Sequence, residues 1–235
     1  MGKHKIVFVA PEDLDLSEYE NILQKHLEIE YFDKEYFTNI RGYNNLMLSK
    51  EFYQRFIEYE YMLIHQLDCF VFRDELEFWC GKGYDYIGAP WLEHSYYIKS
   101  RKEKAKFLFK RFFKRLKNNL YSKDILIYKV GNGGFSLRKT KKFITILENT
   151  DANTLAPFTQ SNDPRSLYNE DVFWSFISKG VKKPKYKNAA KFSLDLGADI
   201  GIRLNGGKLP FGCHAWYKKY NLWQNYIENE NPPAL

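Results

Sequence analysis

The stretch VGNGGFSLRKT, residues 130–140, sets Gly131, Asn132, Gly133 and Gly134 directly before an apolar, strand-like Phe135–Arg138. A tight turn needs one glycine or two, and glycine is the residue that loses most conformational freedom on folding. Two explanations fit such a run. The backbone takes several positive-φ conformations, or something comes closer than a Cβ would allow. The second makes the run part of a binding site. On either side, ILIYKV (125–130) and FSLR (135–138) read as strands flanking this turn, and KTKKFITILENT (139–150) reads as a helix.

Working outward, KIVFVAP (5–11) reads as a buried strand ended by proline, and LSEYENILQKHL (16–27) as a helix opening on Ser17. IEYFDKEYF (29–37) is a second strand, YNNLMLSKEFYQRFIEY (43–59) a helix, and YMLIHQLDCFVF (61–72) a central strand. DELEFWCGKGYDYIGAPW (74–91) is a helix, a glycine-marked turn and a short strand. This alternation predicts an α/β domain with a largely parallel sheet. DANTLAPFTQSNDPRS (151–166) reads as a polar loop, NEDVFWSFISKG (169–180) as a helix, and the aromatic tail after Leu209 packs back on the body.

The 235 residues, 44% hydrophobic, suffice for one domain with a sizeable core. No run of about 18 apolar residues exists, and the N-terminal apolar run Ile6–Ala10 is too short for a signal peptide. Cys69, Cys80 and Cys213 lack C-x-x-C spacing and read as reduced thiols, which predicts a cytoplasmic protein. The net charge of +7 is unevenly spread. Residues 99–123 hold 11 Lys/Arg and one acid, so the remainder carries 25 bases against 28 acids. Basicity confined to one segment, with no recognition motif, argues against a nucleic-acid partner. The P-loop, the G-x-G-x-x-G fingerprint, the G-x-S-x-G elbow and zinc-ligand spacings are all absent.

Three places carry residue types suited to chemistry. Asp68 is a carboxylate at the end of an apolar run, costly there unless paired, hydrogen-bonded or metal-bound; Gln66, two residues earlier, projects to the same face of a strand. Glu170 and Asp171 fall in the first turn of a helix, where one acid serves the helix dipole and the other is available as a general base. His214, in an aromatic setting, is either a core histidine or one part of a carboxylate-plus-histidine site for Mn²⁺ or Mg²⁺.

The segments LIHQLDCFVF, GYDYIGAPW, VGNGGFSLRK, NEDVFW and LPFGCHAW, in this order across residues 63–216, resemble a family of bacterial glycosyltransferase-like proteins of the GT-A type, found among surface-polysaccharide genes. The resemblance implies a Rossmann-like nucleotide-sugar-binding fold with a mixed, mainly parallel central sheet, and an enzyme moving sugar from a nucleotide-sugar (a UDP-sugar by preference) to a hydroxyl of a surface glycan or lipid-linked oligosaccharide. It implies a donor half over residues 1–98, an acceptor half over 124–235 and a basic insertion between them. The Asp-x-Asp signature of such enzymes corresponds to Gln66-Leu67-Asp68, with the first carboxylate replaced. Asp68 and His214 would hold the divalent cation. Asp171, ahead of Glu170, would be the base of an inverting reaction. Gly131, Gly133, Gly134 and Asn132 would touch the sugar, Trp91 would stack on it, and the base would lie near Pro11, Tyr43 and Asn44. A non-catalytic carbohydrate-binding homologue is the alternative.

In residues 99–123, Ala105, Leu108, Phe109, Phe112, Phe113, Leu116 and Leu120 share one helical stripe among Lys and Arg. That profile suits a helix lying on anionic lipid at the inner face of the plasma membrane. It equally suits a helix whose stripe packs on its own domain.

Overall fold

The computed structural model describes residues 4–24, 26–92, 106, 109, 126–161 and 167–227. The basic stripe therefore lies outside the described residues, apart from Lys106 and Phe109, both exposed. Along the chain, β1 (Val7–Pro11) leads through α1 (Ser17–Leu23) to β2 (Glu28–Phe32). Then α2 (Ile40–Met47) and α3 (Lys50–Gln54) precede β3 (Tyr61–His65) and β4 (Phe70–Val71). Next come α4 (Leu76–Cys80), β5 (Tyr86–Gly88), β6 (Phe135–Lys139), α5 (Thr140–Glu148) and α6 (Ala152–Gln160). Helix α7 (Glu170–Val172) runs into a π turn over Phe173–Ile177, followed by α8 (Tyr186–Phe192), β7 (Ser193–Leu194), α9 (Ala198–Leu204), β8 (Gly212–Cys213) and α10 (Tyr220–Ile227).

The protein is mixed α/β, with three small sheets among the described residues. β1 and β2 pair in parallel; β3, β6 and β5 form an antiparallel sheet; β8 lies antiparallel to β4 and parallel to β7. The mainly parallel arrangement expected from the alternation of elements is thus corrected. The physical reason lies in the glycine turn: it delivers the chain into β6 at the end where β3 and β5 finish, so β6 runs back between them, with His65 opposite Phe135 and Gly88 opposite Ser136. Both halves of the chain share this sheet.

The period-two alternation of β3, β5 and β6 sorts residues onto two faces. Met62, Ile64, Tyr86 and Arg138 face the larger core, built with Phe52, Tyr53, Phe143, Phe173 and Trp174 from the helices. Leu63, Ile87, Phe135 and Leu137 face a second core with Trp79, Phe192 and Phe211. Each apolar side chain fully buried here, such as Ile87 or Phe135, contributes roughly 1.5–3 kcal/mol relative to exposure.

Four further expectations are corrected. The apolar run 61–72 is two strands in different sheets, because residues 66–69 form a turn closed by Cys69 N donating to Gln66 O at 3.0 Å. The helix expected over 43–59 is interrupted before Ser49, whose hydroxyl accepts from Phe52 N and starts α3 afresh. Residues 152–160, read as loop, form α6 despite Pro157; Asp151 caps it by accepting from Thr154 N at 2.9 Å, and Phe158 anchors it against Tyr168 and Phe173. Of the expected strand ILIYKV, the described residues 126–130 form none: among them Val130 alone bridges, to Pro90.

Candidate functional site

The site lies at the end of the central sheet where β3 and β5 finish and β6 begins. Its hub is Asn132. This residue, and none of the three neighbouring glycines, takes the left-handed conformation, with φ 72°; Asn tolerates it better than most residues. Its side-chain Oδ1 accepts from the backbone N–H of Gly134 (3.1 Å) and of Phe135 (3.2 Å), closing the turn. That leaves Nδ2 facing outward, 3.0 Å from Asp195 Oδ2 and 3.0 Å from His214 Nδ1. Its backbone N–H donates to Asp171 Oδ2 at 3.1 Å.

The glycine run serves close approach, and the approaching groups are the protein's own. A Cβ on Gly133 would collide with Glu170 Oε1, and one on Gly134 with His214 Nε2 and Gln66 Oε1. The contacts expected from a sugar at these two glycines are filled by side chains on this face of the turn. Trp91 is partly buried with its indole over the α-carbon of Gly131, so the neighbour that glycine accommodates is Trp91. The Asn132 amide is likewise committed to Asp195 and His214.

Gln66 and Asp68, in the turn after β3, meet His214, which follows β8. His214 Nε2 is 3.1 Å from Gln66 Oε1 and 3.3 Å from Asp68 Oδ1. Because the Asn132 amide is held by two backbone donors, it presents N–H to His214 Nδ1. Nδ1 therefore accepts, and the ring hydrogen sits on Nε2, directed at Gln66 and Asp68.

The two adjacent acids have separate fates. Glu170 is 2% exposed, and both its oxygens accept from Arg138 Nη2 at 3.2 Å. Arg138 is wholly buried and also donates to Tyr53 Oη (2.7 Å), Ser136 Oγ (3.0 Å) and Gly133 O (3.3 Å). Burial pushes the Glu170 carboxyl up against the pull of Arg138. Its backbone N–H donates to Asn44 Oδ1 at 3.0 Å. The Glu170 carboxylate, expected to share the catalytic role, faces inward and is engaged by a guanidinium. Asp171, half-buried beside Asn132, has its carboxyl raised by burial, with the N–H groups of Asn132 and Val172 opposing.

Two participants escaped the sequence reading. Arg138 looked like one charge on an ordinary strand. Asp195 follows the buried Phe192–Leu194, two of whose three residues are apolar, as Asp68 follows its own apolar run, so a similar signature could have found it. Asp68, Asp171 and Asp195 thus gather around Asn132 and His214, and no Lys or Arg among the described residues pairs with them.

Ligands for a cation can be judged from this donor set. Asp68 Oδ1, Gln66 Oε1 and His214 Nε2 converge, which suits a hard ion such as Mn²⁺ or Mg²⁺. Cys69 is also nearby, but burial pushes its thiol well above the ordinary range and it donates to Gly134 O at 3.2 Å, so it stays a protonated hydrogen-bond donor. No helix among the described residues is long and apolar enough to cross a membrane.

The chain belongs to the family described as Protein of unknown function (DUF5672), whose model matches residues 26–214. That span includes every residue of the site. No curated protein matches the chain, and no solved structure matches it.

Proposed function

We propose that the protein is a glycosyltransferase of the GT-A type that moves a sugar from a nucleotide-sugar, a UDP-sugar by preference, to a hydroxyl of a surface glycan or lipid-linked oligosaccharide. The observation that carries this reading is the meeting of the Gln66–Asp68 turn with His214 beside three carboxylates with which no Lys or Arg among the described residues forms an ion pair. Such a cluster of carboxylates repels a diphosphate unless a cation accompanies it. Asp68, Gln66 and His214 would hold that cation, which when bound neutralises charge on the departing diphosphate.

Asp171 is the base in this reading. It is half-buried, burial raises its carboxyl above the ordinary aspartate value, and the Asn132 N–H fixes its orientation. Glu170 does not share the role; with Arg138 it holds the helix that presents Asp171. Inversion follows from a base acting on the acceptor hydroxyl from the far side of the anomeric carbon.

The test is thermal unfolding with UDP, GDP and CMP, each with and without Mn²⁺, on wild type and Asp68→Ala. A nucleotide at about a hundred times its Kd raises Tm by roughly 5–10 °C. A rise for one nucleotide that requires Mn²⁺ and vanishes in the variant supports the reading, and the anomeric configuration of the product then checks inversion. Stabilisation by glycans without any response to nucleotides would favour a non-catalytic carbohydrate binder, a reading to which Gln66 in place of a carboxylate lends support.

A further inference from the structure

We propose that Asp195 is the residue that positions His214 for a divalent cation, taking over from Asn132 when the cation enters. This rests on the cation site just described.

His214 Nδ1 has two neighbours of opposite character. The Asn132 amide, 3.0 Å away, can only donate to it, because Oδ1 is held by Gly134 N and Phe135 N. Asp195 Oδ2, 3.8 Å away, can only accept. With Asn132 as partner, the hydrogen is on Nε2 and points at Gln66 and Asp68, so Nε2 has no lone pair for a metal. For Nε2 to coordinate, that hydrogen must leave and one must be taken up at Nδ1. The imidazole stays neutral throughout. The hydrogen on Nδ1 then faces an amide that cannot receive it.

Asp195 supplies the acceptor. Its Oδ1 is buried without a hydrogen-bond partner among the described residues, and its Oδ2 is already engaged by Asn132 Nδ2. The carboxylate thus has accepting capacity to spare within a fraction of an ångström of contact with Nδ1. A ligating histidine usually donates its second N–H to such a group, and loss of that partner typically costs 10–100-fold in metal affinity. Asp68 and Asp195 consequently differ in role: the first faces the ion, the second stands behind the imidazole.

The experiment is Mn²⁺ titration of the full chain without sugar nucleotide, following the resonance of free Mn²⁺. Wild type is expected to bind one ion, and Asp68→Asn to lose it. Asp195→Asn is expected to weaken binding 10–100-fold. Asp171→Asn removes the same charge without touching His214 and is expected to weaken it less than about threefold, by loss of long-range attraction alone. Asn132→Asp keeps the acceptor for the two backbone donors and tolerates the left-handed backbone, and it puts a carboxylate against Nδ1. Combined with Asp195→Asn, it is expected to restore affinity to within about threefold of wild type. Nitrogen-15 spectra with and without Mg²⁺ should move the His214 hydrogen from Nε2 to Nδ1. Equal weakening by Asp195→Asn and Asp171→Asn, or no rescue in the double variant, would overturn the proposal. So would absence of Mn²⁺ binding, or binding that survives Asp68→Asn. Binding as expected, with no transfer activity for any nucleotide-sugar, would leave the proposal standing and sink the enzyme reading alone.

Discussion

On either side of the glycine turn the protein handles negative charge in opposite ways. Inward, Glu170 meets Arg138 with both oxygens, and Arg138 is joined to a tyrosine, a serine and a backbone carbonyl. Outward, Asp68, Asp171 and Asp195 surround a histidine and an amide, with no Lys or Arg among the described residues paired to them. The inner region is a closed structural device; the outer one keeps partly exposed carboxylates with no Lys or Arg ion-pair partner among the described residues. Binding sites are where such unspent polarity is retained.

Breaking the inner region should have the largest effect. Arg138→Met leaves Glu170 buried and unpaired, and is expected to lower stability by about 3–5 kcal/mol in urea denaturation. Replacing both partners, with Glu170→Leu added, should recover most of that loss, because no lone charge remains. If the single variant were as stable as wild type, the contrast between the two regions would collapse.

Gly134→Ala comes next. Its Cβ would strike His214 and Gln66, and relieving the overlap is expected to cost about 1–3 kcal/mol. Because the strain falls on the site itself, any stabilisation by Mn²⁺ or nucleotide should disappear in the same thermal scan. Stability lost with ligand response intact would separate the turn from the site.

The smallest effect is expected at Asp171. Its carboxyl is raised in the folded protein, so the folded state holds a proton that the unfolded state has released. Stability from this group is greatest below the ordinary aspartate value of about 3.9 and declines as pH rises toward the folded value. Asp171→Asn removes that decline. The stability difference between wild type and variant should therefore shift in favour of the variant as pH rises through this window. A shift in favour of wild type would mean that the Asn132 and Val172 N–H groups outweigh burial.

Much of the site was legible because chemistry-bearing residues sat where apolar patterning made them conspicuous. Asp68 interrupts an apolar run, His214 sits among aromatics, and three glycines in four positions demand a reason. Asp195 carried the same signal as Asp68 but on a two-residue strand too short to be noticed. Glu170 and Asp171 were indistinguishable as letters; only the position of Arg138 on the inner face of β6 sends one inward and leaves the other beside the turn.

By itself the sequence determined that the chain is α/β, that residues 131–134 either take positive φ or admit a close neighbour, and that Asp68, the pair Glu170 and Asp171, and His214 are its conspicuous polar groups. These follow from local chemistry: periodicity, glycine's missing Cβ and the cost of polar groups in apolar surroundings. The tertiary structure alone decided that β6 runs antiparallel between β3 and β5, that the neighbours at Gly133 and Gly134 are Glu170 and His214, and that Asp195 joins them. Those outcomes depend on contacts between residues up to 148 positions apart, as for Gln66 and His214. Contacts at that separation leave no periodic trace in the local sequence, because what fixes them is the packing of two cores against the two faces of one short sheet.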